Sequence, residues 1–205
     1  MAYVSREGHK TQSTHLLVPV LYGSVREGRQ GIKAARFVVA ELQRRGCEPV
    51  LVDPLEVRLP LLEKVYGDYE SGAAPEVLQK LADLYKRADG FAIVSGEYNH
   101  GVPPALKNLI DHFLEEYFWR PSAIISYSGG RFGGVRAAMQ LRSTLGEIGT
   151  VSIPSTLPIS NISTAFTDEG VPTDERFIER SDSFFREFVW YMEALKTKRA
   201  SGVPY

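Results

Sequence analysis

Four consecutive side chains, Glu97, Tyr98, Asn99 and His100, stand between Gly96 and Gly101 and just ahead of Pro103-Pro104. The two glycines let the backbone come close to a partner. The N–H groups of such a loop can bond the polar edge of a flat heterocycle, while Tyr98 or Asn99 lies against its face. The prolines suit the opening of a helix, where no N–H is needed. A second segment, Gly23-Ser-Val-Arg-Glu-Gly-Arg29, leads into Gln30 and Gly31. Ser24 offers a hydroxyl, and the helix that opens at Gln30 and Gly31 offers free N–H groups and a partial positive charge to an anion. Arg26 and Arg29 can add charge-assisted bonds to a phosphate. The alternative is a solvated turn whose arginines pair with Glu27 or Glu41. A third segment, Ser126-Tyr-Ser-Gly-Gly-Arg-Phe-Gly-Gly134, exposes backbone donors through its four glycines, unless it is only a flexible turn. One loop suits a phosphate and another a flat ring, which together suggest a flavin nucleotide. Neither a Gly-Lys-Ser/Thr phosphate loop nor a Gly-x-Gly-x-x-Gly turn is present, so a P-loop enzyme and a dinucleotide fold are not expected.

These loops need elements to position them. Apolar runs at Leu16–Tyr22, Glu48–Asp53, Gly90–Ser95, Ala123–Ser128 and Thr150–Pro154 are short and nearly continuous. They predict parallel strands covered on both faces. Pro19 inside the first run removes a ladder donor, and a local bulge is expected there. Between the strands, helical stripes recur: Ile32, Ala35, Val38, Val39 and Leu42; Val77, Leu78, Leu81, Leu84 and Tyr85; Leu106, Leu109, Ile110 and Phe113; Val135, Met139, Leu141, Leu145 and Ile148; and Ile178, Phe184, Phe185, Phe188 and Met192 within 177–195. Alternation of strand and helix predicts an α/β doubly wound sheet with helices on both faces, of flavodoxin-like order 2-1-3-4-5. Its switch point lies between strands 1 and 3, the two strands that the first two loops leave. The expected organisation is a tail over 1–14, one domain over 15–197 and a C-terminal tail over 198–205. Two irregular stretches, Pro54–Pro75 and Thr156–Asp174, are long enough to be functional or to be covered by another subunit.

The composition narrows the class. The chain has 205 residues, 43% hydrophobic and 24% charged, with a net charge of −1, which is ordinary for one globular domain. That charge argues against nucleic acid as a partner and against a strongly acidic carrier docking by charge. One cysteine, Cys47, excludes an internal disulfide and a cysteine metal cluster; it reads as a small buried residue. No apolar stretch approaches the roughly 20 residues of a membrane span, and residues 1–14 lack a signal-peptide core, so a cytoplasmic protein is expected. No metal site is expected, and no Gly-x-Ser-x-Gly elbow marks a hydrolase. His112 lies inside a helix, away from the loops. His100 is better placed, but hydride transfer through a flavin needs no protein base, so no catalytic side chain is assigned. Lys107 and Asp111 read as an i,i+4 pair.

The sequence resembles the NADPH-dependent FMN reductase family, which includes quinone, azo-dye and chromate reductases. The likeness rests on Gly23-Ser24-Val25-Arg26, on Glu97-Tyr98-Asn99 through Pro103, Leu106-Lys107-Asn108 and Asp111, and on Ser126-Tyr127 through Gly130. It spans about residues 16 to 155. It implies a flavodoxin-like fold, non-covalent FMN, and a homodimer or homotetramer. It implies that Ser24, Arg26 and Gln30 hold the FMN phosphate, and that Glu97, Tyr98 and Asn99, helped by Ser128, Gly129 and Gly130, hold the ring. Gly96 departs from the proline common there, and Arg29 replaces a small hydroxyl residue of some relatives, so its partner is the phosphate of FMN or of NADPH. The implied activity passes hydride from NADPH or NADH to FMN and on to a small-molecule acceptor: a quinone, an azo compound, a metal oxyanion or free flavin. The rival is a flavodoxin-type electron carrier that does not oxidise NADPH directly. Arg120, Arg131 and Arg136 are candidates for reading the nucleotide phosphate. Tyr66, Tyr69 and Phe166 either form an interface or cover the domain's own core.

Overall fold

Five apolar runs assemble into one parallel sheet in the computed structural model, which describes residues 15–205; the expected tail over 1–14 lies outside the described residues. The strands are β1 (Leu17–Tyr22), β2 (Glu48–Val52), β3 (Phe91–Ser95), β4 (Pro121–Tyr127) and β5 (Val151–Ile159). Their order is β2-β1-β3-β4-β5, all parallel, the flavodoxin-like arrangement. The helices are α1 (Ile32–Arg44), α2 (Pro54–Val57), α3 (Glu76–Arg87), α4 (Pro104–Asp111), α5 (Val135–Glu147), α6 (Ile162–Ala165) and α7 (Glu175–Ala200). On one face Val18, Val20, Ala92 and Val94 meet Phe37 and Val38 of α1 and Phe185 and Phe188 of α7. On the other, Leu21, Ile93 and Ile124 meet Leu81 of α3, Leu106 of α4 and Leu141 of α5. Covering both faces is why β1, β3 and β4 read as unbroken apolar runs, with every residue buried.

Several details differ from the sequence reading. No bulge forms at Pro19, because the ladder to β2 runs unbroken from Leu17 to Leu21 while the ladder to β3 begins only at Val20. The missing N–H falls at the end of that second ladder. The irregularity is instead in β5, where the register shifts between Ser122 and Ile124 of its partner β4. Beyond that shift β5 continues to Ile159, through residues expected to be a loop. On α5, Val135 and Met139 face solvent and Ala137, Ala138, Leu141 and Leu145 are buried. The small alanines let α5 lie close to the sheet and turn the apolar stripe away from Met139. The last helix runs to Ala200, past the expected end of the domain, and Tyr205 returns to stack on Trp119 and Phe118. Asp89, buried at the opposite edge of the sheet, holds that helix through Lys196 (2.8 Å) and Arg199 (3.0 Å).

The irregular stretches cover the domain itself. Phe166 is buried against Phe37 and Phe177. Tyr66 packs on Phe113, and Tyr69 lies partly buried beside the same core. These aromatics are therefore not an exposed interface patch. Among the described residues no helix is long and apolar enough to cross a membrane.

Candidate functional site

β1, β3 and β4 end side by side, so the three loops singled out by sequence leave one edge together. Gly23 N–H bonds Val94 O at 3.2 Å, tying the first loop to the end of β3. Gly23 is pressed on α4, since a Cβ there would come within 2.7 Å of Leu106 Cβ. The ring of Tyr127 wedges between the first two loops. A Cβ on Gly31 would lie 2.6 Å from its Cε1, and one on Gly96 would lie 3.1 Å from its Cζ. Gly31 and Gly96 are therefore close-packing positions. Burial pushes the Tyr127 phenol well above its usual range. The neighbouring Tyr22 hydroxyl is buried and meets no hydrogen-bond partner, and burial raises its pKa too.

The second loop is a tight turn. Tyr98 and Gly101 exchange backbone bonds of 3.0 and 2.9 Å across Asn99 and His100, whose φ values are 50° and 66°. Two residues at positive φ make the mirror-image turn that closes two-residue hairpins. The turn aims the Tyr98 hydroxyl at Ser24 Oγ, 3.1 Å away. Asn99 and His100 are exposed, and the His100 carbonyl accepts from Gln140 Nε2. Glu97 does something the sequence did not reveal. Its Oε2 accepts from the N–H groups of Arg136 (2.9 Å) and Ala137 (3.2 Å), capping the start of α5.

In the first loop Arg26 and Arg29 divide. The Arg26 guanidinium is exposed, lies 5.8 Å above the Tyr98 ring and makes no hydrogen bond or ion pair among the described residues. Arg29 instead donates to both oxygens of Asp53 at 2.5 Å and to Ser24 O at 2.9 Å. Neither pairs with Glu27 or Glu41; Glu41 holds Arg44 and Arg45. The expectation that Arg29 serves a phosphate therefore meets a guanidinium already engaged. Gln30 folds its side chain back to Gly28 O, and α1 begins at Gly31 with no side-chain cap and no acidic residue in its first turn.

In the third loop Ser126 is buried and bonds Gly133 O at 2.7 Å, a structural contact. Ser128 Oγ bonds Gly130 O, and a Cβ on Gly129 or Gly130 would meet nothing within 4 Å. Ser24, Arg26, Gln30, Gly31, Glu97, Tyr98, Tyr127, Ser128 and Gly129 line a cavity of about 250 Å³. Arg29 and Gly96 also line it, as do Ile162 and Ser163, two residues that the sequence reading missed because they follow a strand longer than expected. A larger cavity of about 550 Å³ lies between the exit of β5 and the start of α7. The smaller one holds the donors an anion and a flat ring require: a free arginine, a serine hydroxyl, an open helix terminus and unobstructed glycines. These residues fit FMN.

The sequence model of the NADPH-dependent FMN reductase family matches residues 16–164. The chain belongs to this family. It is thereby a flavin oxidoreductase, with FMN and a reduced nicotinamide nucleotide as cofactors. A quinone reductase of Pseudomonas putida is 34% identical over 133 residues, covering 62% of this chain and 68% of the relative. The NADH:(hydroxy)cinnamate reductase subunit CrdA of Vibrio ruber is 26% identical over 171 residues, 80% of this chain and 83% of the relative. Among solved structures, the NAD(P)H:(acceptor) oxidoreductase FerB from Paracoccus denitrificans has a TM-score of 0.71 at 27% identity, covering 86% of this chain and 97% of that one.

Other members of the predicted set lie elsewhere than expected of an FMN reductase site. Arg120 is at the opposite edge of the sheet, bonding the carbonyls of Ala88, Phe118 and Lys86, so it cannot read a nucleotide phosphate here. Arg131 and Arg136 do flank the site, stacked on Phe132 at 5.1 and 5.0 Å. His112 is buried, with Nε2 3.1 Å from Pro60 O. Asp53, the partner of Arg29, was unnoticed in the sequence, although Asp before Pro54 at a strand's end is a readable helix-capping signal.

Proposed function

We propose that the protein uses FMN to carry two electrons from NADPH or NADH to a small-molecule acceptor: a quinone, an azo compound, a metal oxyanion or free flavin. The observation that carries this reading is the meeting of Ser24, Arg26 and the uncapped start of α1 with the open Gly129-Gly130 turn in one cavity at the switch point. Bound FMN supplies the redox chemistry, accepting hydride and passing electrons on. The chain's residues orient. Ser24, Arg26 and the first amides of α1 hold the phosphate, with the Gln30 backbone beside them. The Tyr98-Asn99-His100 turn supports the ring, and Ser128, Gly129 and Gly130 approach it through their backbone. No side chain acts as acid or base, in keeping with the burial of His112 and the exposed position of His100. The protein is read as a cytoplasmic homodimer or homotetramer; its association is supported by the exposed Leu61, 81% accessible, in an apolar cleft that Val25 and Pro104 also line.

The test is an anaerobic titration of the FMN-loaded protein with NADPH and then NADH. Bleaching of the flavin band near about 450 nm, reversed by a quinone or azo compound, is expected. A band that persists with both nucleotides assigns the protein to electron carriage, and failure to bind FMN removes the reading altogether.

A further inference from the structure

Arg29 is the residue whose structure departs furthest from its sequence reading. Its Nη1 donates to Ser24 O and Asp53 Oδ1, and its Nη2 to Asp53 Oδ2. This end-on pairing uses both Nη1–H groups and one Nη2–H, and the carboxylate neutralises the guanidinium's charge, while Nε–H and the other Nη2–H meet no acceptor among the described residues. The plane of the guanidinium lies 5.1 Å from the centre of the Tyr22 ring. Only 17% of the Arg29 side chain and 4% of the Asp53 side chain are exposed.

Asp53 is itself fixed. It closes β2 and accepts from Leu55 N–H at 3.0 Å as the cap of α2. Arg29 therefore carries the position of the β2 end across to the carbonyl of Ser24. The loop is also tied to β3 by Gly23 N–H to Val94 O at 3.2 Å and to the second loop by Ser24 Oγ and the Tyr98 hydroxyl at 3.1 Å. Its other internal bonds near Ser24 are Arg26 N–H to Ser24 Oγ at 3.4 Å and Arg29 N–H to Arg26 O at 3.3 Å, both long. Charge points the same way. A phosphate brings nearly two negative charges, and a bare buried carboxylate at Asp53 would repel it. Pairing with Arg29 removes that repulsion and leaves Arg26 as the free cation.

We propose that Arg29 is the positioning residue of the phosphate loop, not a phosphate ligand: clamped to Asp53, it fixes Ser24 and the open start of α1 where the FMN phosphate binds. The proposal rests on the flavin reading above. Affinities of FMN and of riboflavin, which lacks the phosphate, are measured by quenching of flavin fluorescence, with circular dichroism as the check on folding. Arg29→Gln and Asp53→Asn each weaken FMN roughly tenfold or more, about the loss of one charge-assisted bond, and leave riboflavin nearly unchanged. The double variant is no weaker than the weaker single, because both break one contact. Arg29→Lys also loses FMN affinity, since an ammonium cannot reproduce the fork; this arm decides if Asp53→Asn does not fold. The proposal is overturned if Asp53→Asn keeps wild-type FMN affinity while Arg29→Gln loses it, or if Arg29→Lys binds FMN normally, since Arg29 would then act by its own charge. Equal losses for FMN and riboflavin would also overturn it, by making the pair a general support of the fold. Wild-type protein binding neither flavin would instead sink the flavin reading itself.

Discussion

Gly31→Ala sets two effects against each other, and the structure decides the sign. Gly31 has φ −64° and ψ −15°, a helical conformation open to any residue. On backbone grounds alone, alanine there should stabilise the fold by about 0.4–1 kcal/mol, through a less disordered unfolded chain. The space around the residue reverses this. An added Cβ would lie 2.6 Å from Tyr127 Cε1 and closer still to Cζ and the hydroxyl. Tyr127 is only 7% exposed, and its ring already lies against Gly96 on another side. Relief requires the ring or the first turn of α1 to move, and overpacking of this kind costs about 1–3 kcal/mol. The net is a loss of roughly 0.5–2 kcal/mol, or a fall of about 1–8 °C in Tm for a domain of this size. Urea and thermal unfolding of the FMN-free protein measure it. Gly146→Ala is the control: no atom lies within 4 Å of its Cβ, and in the last turn of α5 it should be neutral or gain up to about 1 kcal/mol. Adding Tyr127→Leu to Gly31→Ala should recover part of the clash, seen as coupling between the two changes. A Gly31→Ala protein as stable as the wild type would refute the packing argument, and with it the explanation of glycine at this position.

Three further outcomes are expected. Arg26→Ala should weaken FMN by about 1.5–3 kcal/mol, or roughly 10- to 150-fold, by calorimetric titration, and unchanged affinity would exclude Arg26 as a phosphate ligand. Asp89→Ala strips Lys196, Arg199 and the Leu17 N–H of their shared acceptor; because Lys196 is partly exposed, a loss of about 2–4 kcal/mol is expected, at or below the usual range for broken buried pairs, and a change under about 0.5 kcal/mol in urea unfolding would contradict it. Burial raises the phenols of Tyr85, Tyr117 and Tyr127 above their ordinary value. The folded state keeps these protons while the unfolded chain begins to lose them near pH 10, so stability is complete below that pH and falls above it, by up to about 1.4 kcal/mol per pH unit for each phenol. A flat urea midpoint between pH 9 and 11 would contradict this, and Tyr117→Phe should lessen the slope.

The fold was legible because it is local and periodic. Runs such as Leu17–Tyr22 and Phe91–Ser95 are buried throughout, so their apolarity is continuous, and the intervening stripes have helical spacing. What failed was whatever depends on a distant partner. Met139 reads as part of an apolar stripe, but α5 rests on the sheet through Ala137, Ala138, Leu141 and Leu145, which leaves Met139 outward. β5 outran its prediction because a register shift lets Pro154 and Pro158 sit in an edge strand. In the site, the loops were legible from their glycines and polar residues, while the division of labour inside them was not. Glu97 caps amides 39 and 40 residues further on, and Arg29 meets a carboxylate 24 residues away, across α1 and β2. The Asn99-His100 turn lacks the Asn-Gly signature of its type; the backbone pairing of Tyr98 with Gly101 imposes positive φ on His100 despite its side chain.

Capping explains why an anion has one destination at this edge although three helices start there. α4 opens at Pro103 and Pro104, neither of which has an N–H to give. α5 opens on the Glu97 carboxylate, whose charge more than offsets the half-charge of a helix terminus. α4 shares with α1 the lack of a side-chain cap and of an acidic residue in its first turn, but its opening positions are prolines; α1 opens on amides instead, with Ser24 and the free guanidinium of Arg26 beside it. On the proposed reading this places the phosphate on the β1 side of the switch point. The carboxylate that closes α5 also tethers the start of the Tyr98 turn, so the residue that discourages a second anion is the one that builds the support for the ring. In the proposed arrangement the direction of the nucleotide, phosphate toward β1 and ring toward β3 and β4, is set by which helix start is left open as much as by the shape of the cavity.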